Sequence, residues 1–364
     1  MLLSTAAAVQ PLSAQSPAMI DPAIPPIPAA PTGSRRVTAL MDWLERYPWL
    51  LPLLSFVAGW AGYWLVERGP QLARGIALMA LLVWPWMLLE NLFGRWLHRW
   101  SSGRLSPTLT AFVTQSVQQE MLFFALPFVL GAIRLSPGHL LFGLLVGAAA
   151  LFSTLDPLYH RWVGRSGALS VAFQAYCSFI TALVVLPVAL HWPVEKAVTM
   201  AVLIATASLV AGLPRLLQAE QRGRALGLSL IAAILLLLCL PLRSWIPPVG
   251  LRLTDSRIGQ TIDGLAPGPE VKSLRLAALA ETGVVAYVAV HAPAGLNQQL
   301  RFDWYHRGRL LESIPAEIEG AEGRGWRTYT RKQHFPADPR GGWRVDVRSP
   351  GDQLIGRLYF RVTD

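Results

Sequence analysis

Residues 114–133 read TQSVQQEMLFFALPFVLGAI, a stretch whose first seven residues are mostly polar and whose remainder, Met121 to Ile133, carries no charge. Whether it crosses a membrane decides the fold, because it sets the parity of the spans and hence the side on which the C-terminal third lies. Counted as a helix, it is the third of seven apolar segments, 48–66, 75–94, 110–133, 138–157, 167–190, 194–213 and 225–242. Each approaches the ~20 residues that a hydrocarbon core requires. Hydrophobic residues make up 53% of the chain and charged residues 15%, well under the ~25% charged of soluble domains. A soluble protein is excluded on this balance.

The loop charges test the count independently, since Lys and Arg gather in cytoplasmic loops. Arg35, Arg36, Arg46, Arg95, Arg99, Arg104, Arg161, Arg165, Arg215, Arg222 and Arg224 fall on one side, eleven in all. Arg68, Arg74, Arg134, Lys196 and Arg243 make five on the other. Dropping the third span destroys this alternation. Seven spans with a cytoplasmic N-terminus place everything after Pro241 outside, in the periplasm of a bacterium with two membranes.

The net charge of +10 divides unevenly. Residues 1–243 carry 16 basic and 9 acidic side chains, and residues 244–364 carry 16 and 13. Most of the excess is therefore loop bias and not a nucleic-acid footprint. Cys177 and Cys239 both lie in expected spans, so no disulfide is expected in the exported part. The first 34 residues lack Lys and Arg, and 1–40 is expected to be a disordered Ala/Pro-rich tail, or an over-long start, and not a signal peptide. A helical membrane domain is expected over 41–245 and an extracytoplasmic domain over 250–364.

In that last part, Pro/Gly punctuation separates VVAYVAVH, LRFDWYH, RLLESIPAEI, GWRTYTRK, GGWRVDV and LIGRLYFRV, which read as strands. Six or seven such strands suggest an all-β, immunoglobulin-like antiparallel sandwich. Alternation sends each Trp to the face opposite its neighbouring Arg, so Trp326 and Trp343 are expected in the core. The segments WYHRG (304–308), WRTYTRK (326–332), GGWRVDV (341–347) and GDQLIGRLYFRV (351–362) resemble the bacterial domain of unknown function 2914, over about 250–364. ERYPWL (45–50), QQEMLFFALPF (118–128) and LDPLY (155–159) are similar to domain of unknown function 5924, over about 40–245. The resemblances imply an architecture and carry no activity.

Two sets of residues are candidates for function. Ionisable groups within spans are costly and mark sites by default, which singles out Glu90, Glu120 and Asp156, with Gln119 and His160 beside them, as an intramembrane polar site. The alternative is helix-to-helix hydrogen bonding. The second set is a basic sheet face: if 342–348 pairs with 354–362 across RSPGDQ, then Arg344, Arg348, Arg357 and Arg361 share a side with Tyr359, offset by Asp346. Such a face suits an anionic surface, or is an ordinary solvated face. His306 and His334 are read as strand-end residues. Searches for triads, phosphate loops and metal spacings find nothing, so no catalytic residue, metal or cofactor is expected. The expected role is non-enzymatic, an envelope interaction or sensing module in the inner membrane. Its candidate partners are the bilayer, an envelope protein or an anionic envelope polymer, with no nucleic acid; the alternative is a transporter or membrane enzyme using the carboxylates.

Overall fold

The computed structural model describes residues 53–54, 56–61, 64, 107–217, 222–292, 297–319 and 325–364. The described residues between 53 and 64 are helical; the tail, most of the first expected span and all of the second lie outside the described residues. Six helices follow: α1 (Pro107–Ala132), α2 (Pro137–Thr154), α3 (Asp156–Tyr159), which runs into a π turn (His160–Gly164), α4 (Gly167–Leu190), α5 (Val194–Leu217) and α6 (Arg222–Leu238). Their ends are written locally. Ser136 caps α2 by accepting from His139 N, with Pro137 opening the helix, and Ser166 accepts from Leu169 N at the start of α4. His191 ends α4 in the left-handed conformation at φ 54°.

Three helices are long and apolar enough to cross a membrane: α2, α4 and the Val194–Pro214 part of α5. The expected seven thus becomes three among the described residues: the first two expected spans lie mostly or wholly outside them, and of the other five the third (α1) and the seventh (α6) fall short. α1 carries Gln115, Gln118, Gln119 and Glu120, which dilute its apolar length. α6 has 17 residues, about 25 Å at ~1.5 Å per residue, short of a ~30 Å core. The helices share one interior, with Leu122, Val129, Val146, Ile180, Val184 and Ala201 buried together. Outside it, Leu144 is 68% exposed and Leu151, Leu203, Val210, Leu230 and Leu235 are also exposed. Apolar surface of this extent calls for a non-aqueous neighbour.

Past a single 3₁₀ turn (Arg243–Trp245), the chain becomes strand-rich. β1 (Arg252–Gly259), β5 (Val284–His291) and β8 (Trp326–Lys332) form one sheet in the order β1-β5-β8. β4 (Ser273–Arg275), β10 (Leu354–Thr363), β9 (Gly341–Arg348), β6 (Asn297–His306) and β7 (Arg309–Glu319) form a second in the order β4-β10-β9-β6-β7. β2 (Ile262–Asp263) and β3 (Ala266–Pro267) make a small ribbon, and α7 (Leu276–Thr282) precedes β5. All the strand segments expected from sequence are present, with one departure from an antiparallel design. β4 runs parallel to β10, Ser273 opposite Arg361.

Sequence pattern explains each placement. Val284 through Val290 are buried on both faces of the central β5, so its alternation is hidden, whereas β10 alternates buried Leu358, Phe360 and Val362 with Arg357, Tyr359 and Arg361. A bulge between Leu354 and Gly356 breaks the alternation at Ile355, which is buried. Arg307 and Gly308 make the two-residue turn between β6 and β7, both at positive φ, the conformation that such hairpins require. Pro315 lies in β7, at the sheet margin, where its missing N–H breaks no ladder.

Both sheets feed one core that contains Phe302, Trp304, Trp343, Val345 and Phe360. Trp343 is 1% exposed; it stacks on Phe360 at 5.7 Å and on His306 at 4.5 Å, and its Nε1 donates to the Pro339 carbonyl at 2.8 Å. Trp326 packs at the edge of the same core. Truncating Trp343 to Ala is expected to lower stability by about 3 to 5 kcal/mol, read as thermal denaturation of the purified full-length protein in detergent. A variant as stable as the parent would mean that the indole contributes no core packing.

Candidate functional site

The joint between helices and strands comes first, because it fixes what each candidate group faces. The α1–α2 turn, the start of α5 and the segment after α6 all lie at one end of the bundle, and each is tied to a strand or to the turn that leads into one. Arg134 Nε donates to the Ile355 carbonyl at 2.7 Å. The Val194 N–H, among the unpaired donors at a helix start, gives its hydrogen bond to Gln298 Oε1 on β6 at 3.1 Å. Gln353 Nε2 donates to the Ile246 carbonyl at 3.2 Å. The cores interpenetrate too: Val194 belongs to the strand core, and Ile246 and Val249 belong to the helix core. Trp245 lies so close to Gly138 that a Cβ there would sit 2.7 Å from its ring.

At the opposite end lies the polar cluster. Gln115 Nε2 donates to the Ser153 carbonyl at 3.1 Å and to Asp156 Oδ1 at 2.7 Å. Gln118, fully buried, accepts from the Tyr159 hydroxyl at 2.6 Å and donates to Gln174 Oε1 at 2.8 Å. Gln174 Nε2 is buried without a hydrogen-bond partner. Of the sequence candidates, Asp156 joins this cluster through Gln115, and Gln119 is buried on the same helix. His160 is exposed, with Nδ1 3.1 Å from the Asp156 carbonyl. Glu120 is exposed, as helix geometry requires: at ~100° per residue it sits about 140° around α1 from Gln115, whereas Gln118 and Gln119 lie within about 60°. Glu90 lies outside the described residues. Sequence reasoning missed Gln174, although it is an amide in an otherwise apolar run of α4. Replacing Gln118 with Leu is expected to cost about 1 to 3 kcal/mol, because it strands the Tyr159 hydroxyl and the Gln174 carbonyl. Glu120→Gln is expected to stay within about 0.5 kcal/mol; thermal unfolding in detergent compares them.

The basic face is present in the expected register, with Arg344 opposite Tyr359 and Asp346 opposite Arg357. It is a lattice and not an open cationic surface. Asp346, 0% exposed, takes Arg348 Nη2 at 2.9 Å and Arg357 Nε at 3.0 Å, and lies 3.1 Å from Arg344 Nε, an ion pair without hydrogen-bond geometry. β6 adds a second buried carboxylate directly opposite, Asp303, which lies 3.2 Å from Arg301 Nε and 3.5 Å from Arg348 Nε. Asp352 pairs with Arg301 as well. Burial opposes the charge of Arg301, but Asp303 and Asp352 outweigh it and hold its proton more firmly than usual. The Arg344 guanidinium rests 4.1 Å over the Tyr305 ring. Among the described residues, Arg361 alone of the four arginines makes no ion pair, and Tyr359 beside it is 62% exposed. Asp346→Ala is expected to cost about 3 kcal/mol by leaving partly buried guanidinium groups uncompensated, and Arg361→Gln less than about 0.5 kcal/mol. Equal losses in denaturant titrations would contradict this division.

Among the described residues, no group of three or more His, Cys, Asp or Glu is placed to hold a metal ion. In the lattice the Ser313 hydroxyl donates to Asp303 Oδ1 at 2.5 Å, but that carboxylate is also paired with Arg301 and lies 3.5 Å from Arg348 Nε, so the contact is one more bond of the charge network. The geometry thus defines a class: a helical part with three membrane-length apolar helices, locked at one end to strand-rich sheets. The chain belongs to the Family of unknown function (DUF5924), whose model matches residues 30–286. Residues 297–362 match a second model, Protein of unknown function (DUF2914), in the order expected from the sequence. No curated protein matches the chain. The boundary between the two models falls inside the sheets: β4, from the first, pairs with β10 of the second, and β8, from the second, pairs with β5.

Proposed function

We propose that the protein resides in the inner membrane of a bacterial envelope, with a cytoplasmic N-terminus and the strand-rich part in the periplasm. It acts there as an interaction or sensing module and not as an enzyme. On this reading α1 and α6 also lie within the bilayer beside the three apolar helices, which restores the alternation of basic loops, and the two sheets form a sandwich around their common core. The observation that carries the proposal is the joint. The strand side chain of Gln298 accepts from the first turn of α5, Arg134 of the α1–α2 turn donates to a β10 carbonyl, and Gln353 just before β10 donates to Ile246 after α6, so a load on the sheets is transmitted to the helices. A flexible tether has no need of such bonds. The transporter alternative, which would use the carboxylates, is weaker, because Asp156 is tied to Gln115 while Glu120 sits about 140° around α1 from Gln115, so Glu120 does not face the Asp156 contact.

Two measurements test this. A reporter active only outside the cytoplasm is expected to work when fused after Asp364 and to fail when inserted between α5 and α6; the reverse pattern overturns the orientation. Gln298→Ala is expected to speed amide exchange in the first turn of α5 about tenfold, the equivalent of one lost hydrogen bond. Unchanged exchange would reduce the strand-rich part to a passenger.

A further inference from the structure

A cleft of about 520 Å³ opens between the two sheets, lined by Ser256 and Ile258 of β1, Glu270, Lys272, and Arg357 and Arg361 of β10. Backbone direction along its walls follows from the ladder. Arg361 N donates to the Lys272 carbonyl, away from β9, and no register shift separates residues 356 and 362. Successive residues of an antiparallel strand point their N–H and C=O groups to opposite sides. Arg357 and Tyr359 therefore aim both groups into the cleft, where β4 has not yet begun to pair. On the facing wall, the Ile258 carbonyl accepts from Val271 N at 2.7 Å, so by the same alternation Ser256 also aims its groups inward. Among the described residues, these three have no strand opposite them on that side.

The chain itself shows what fits between such walls. Val271 and Lys272 bridge them at one end, with one bond to β1 and one to β10. At the other end Leu253 closes against Gly356. Between these stops lies a gap for about three residues of extended chain at ~3.3 Å each. Lys272, Arg357 and Arg361 against Glu270 give it a basic rim, although Arg357 is partly committed to Asp346.

We infer that this cleft binds an extended, acidic segment of a partner protein, which adds a short strand between β1 and β10. The inference rests on the interaction-module reading and supplies the chemistry of the partner. Main-chain hydrogen bonds to Ser256, Arg357 and Tyr359 hold the segment, and its carboxylates meet Lys272 and Arg361.

The probe is a fluorescein-labelled hexapeptide of alternating Val and Glu, titrated by anisotropy against the purified full-length protein in uncharged detergent. Saturable binding is expected, weakened in high salt, where screening reaches ~3 Å, and weakened about tenfold by Arg361→Glu. N-methylation of alternate peptide amides is expected to abolish it. Tyr359→Pro is also expected to abolish it while leaving circular dichroism unchanged, because the N–H removed belongs to no ladder. Absence of binding, equal binding of a Val/Lys peptide, or indifference to N-methylation overturns the inference. So does self-association that Tyr359→Pro removes, which would assign the cleft to a second copy. The assay is indifferent to orientation in the membrane, so its failure leaves the reporter result, and the reading it supports, standing.

Discussion

The Arg134 guanidinium donating to the carbonyl of Ile355 is the bond from which the relation between helices and strands follows. Its donor sits in the turn that reverses the chain between α1 and α2, and its acceptor lies at the bulge that begins β10. With Gln298 on the α5 start and Gln353 on Ile246, it forms a three-point attachment. Three such bonds on three separate segments restrain the strands against the helices more than one tether could. Each bond is worth ~1 kcal/mol net, but each also satisfies a polar group that would otherwise be unpaired near the joint, so losing one costs more than the bond itself.

The sheet face shows a second constraint, the cost of burying charge. A carboxylate as enclosed as Asp346 is tolerated only with partners, and three arginines surround it. Asp303 on the next strand repeats the motif. The outcome is a near-neutral lattice across β6, β9 and β10. Of the four arginines on this face, Arg361 at the β10 margin is the one left outside the lattice.

Much of this was legible in the sequence. Alternation in GGWRVDV and LIGRLYFRV located the buried Trp343 and the arginine face, and Arg-Gly and Ser-Pro-Gly-Asp marked the hairpins. β5 is hydrophobic throughout because both its faces are covered, so its segment was legible while its central position was not. The parallel pairing of β4 rests on three residues and leaves no periodic trace. The helical segments were found, but α1 was counted as a span on the strength of its second half, and its glutamines face inward to partners 38 and 56 residues away. No local pattern encodes such pairings. For the same reason Glu120, conspicuous as a charge, drew attention that belongs to Gln118 and Gln174, and Asp303 was overlooked because only its cross-strand neighbours reveal that it is buried.

The far margin of the five-stranded sheet has a different character from its β10 side. β7 ends that sheet with Pro315 in the strand and Arg309, Glu312 and Glu317 exposed along it. Features of this kind keep a sheet from adding a neighbour. Proteins anchored in a bilayer diffuse in two dimensions and collide at high effective concentration, which turns a bare strand margin into a nucleus for polymerisation. On the proposed membrane placement, a margin blunted by proline and charge would let many copies crowd one bilayer without stacking into ribbons.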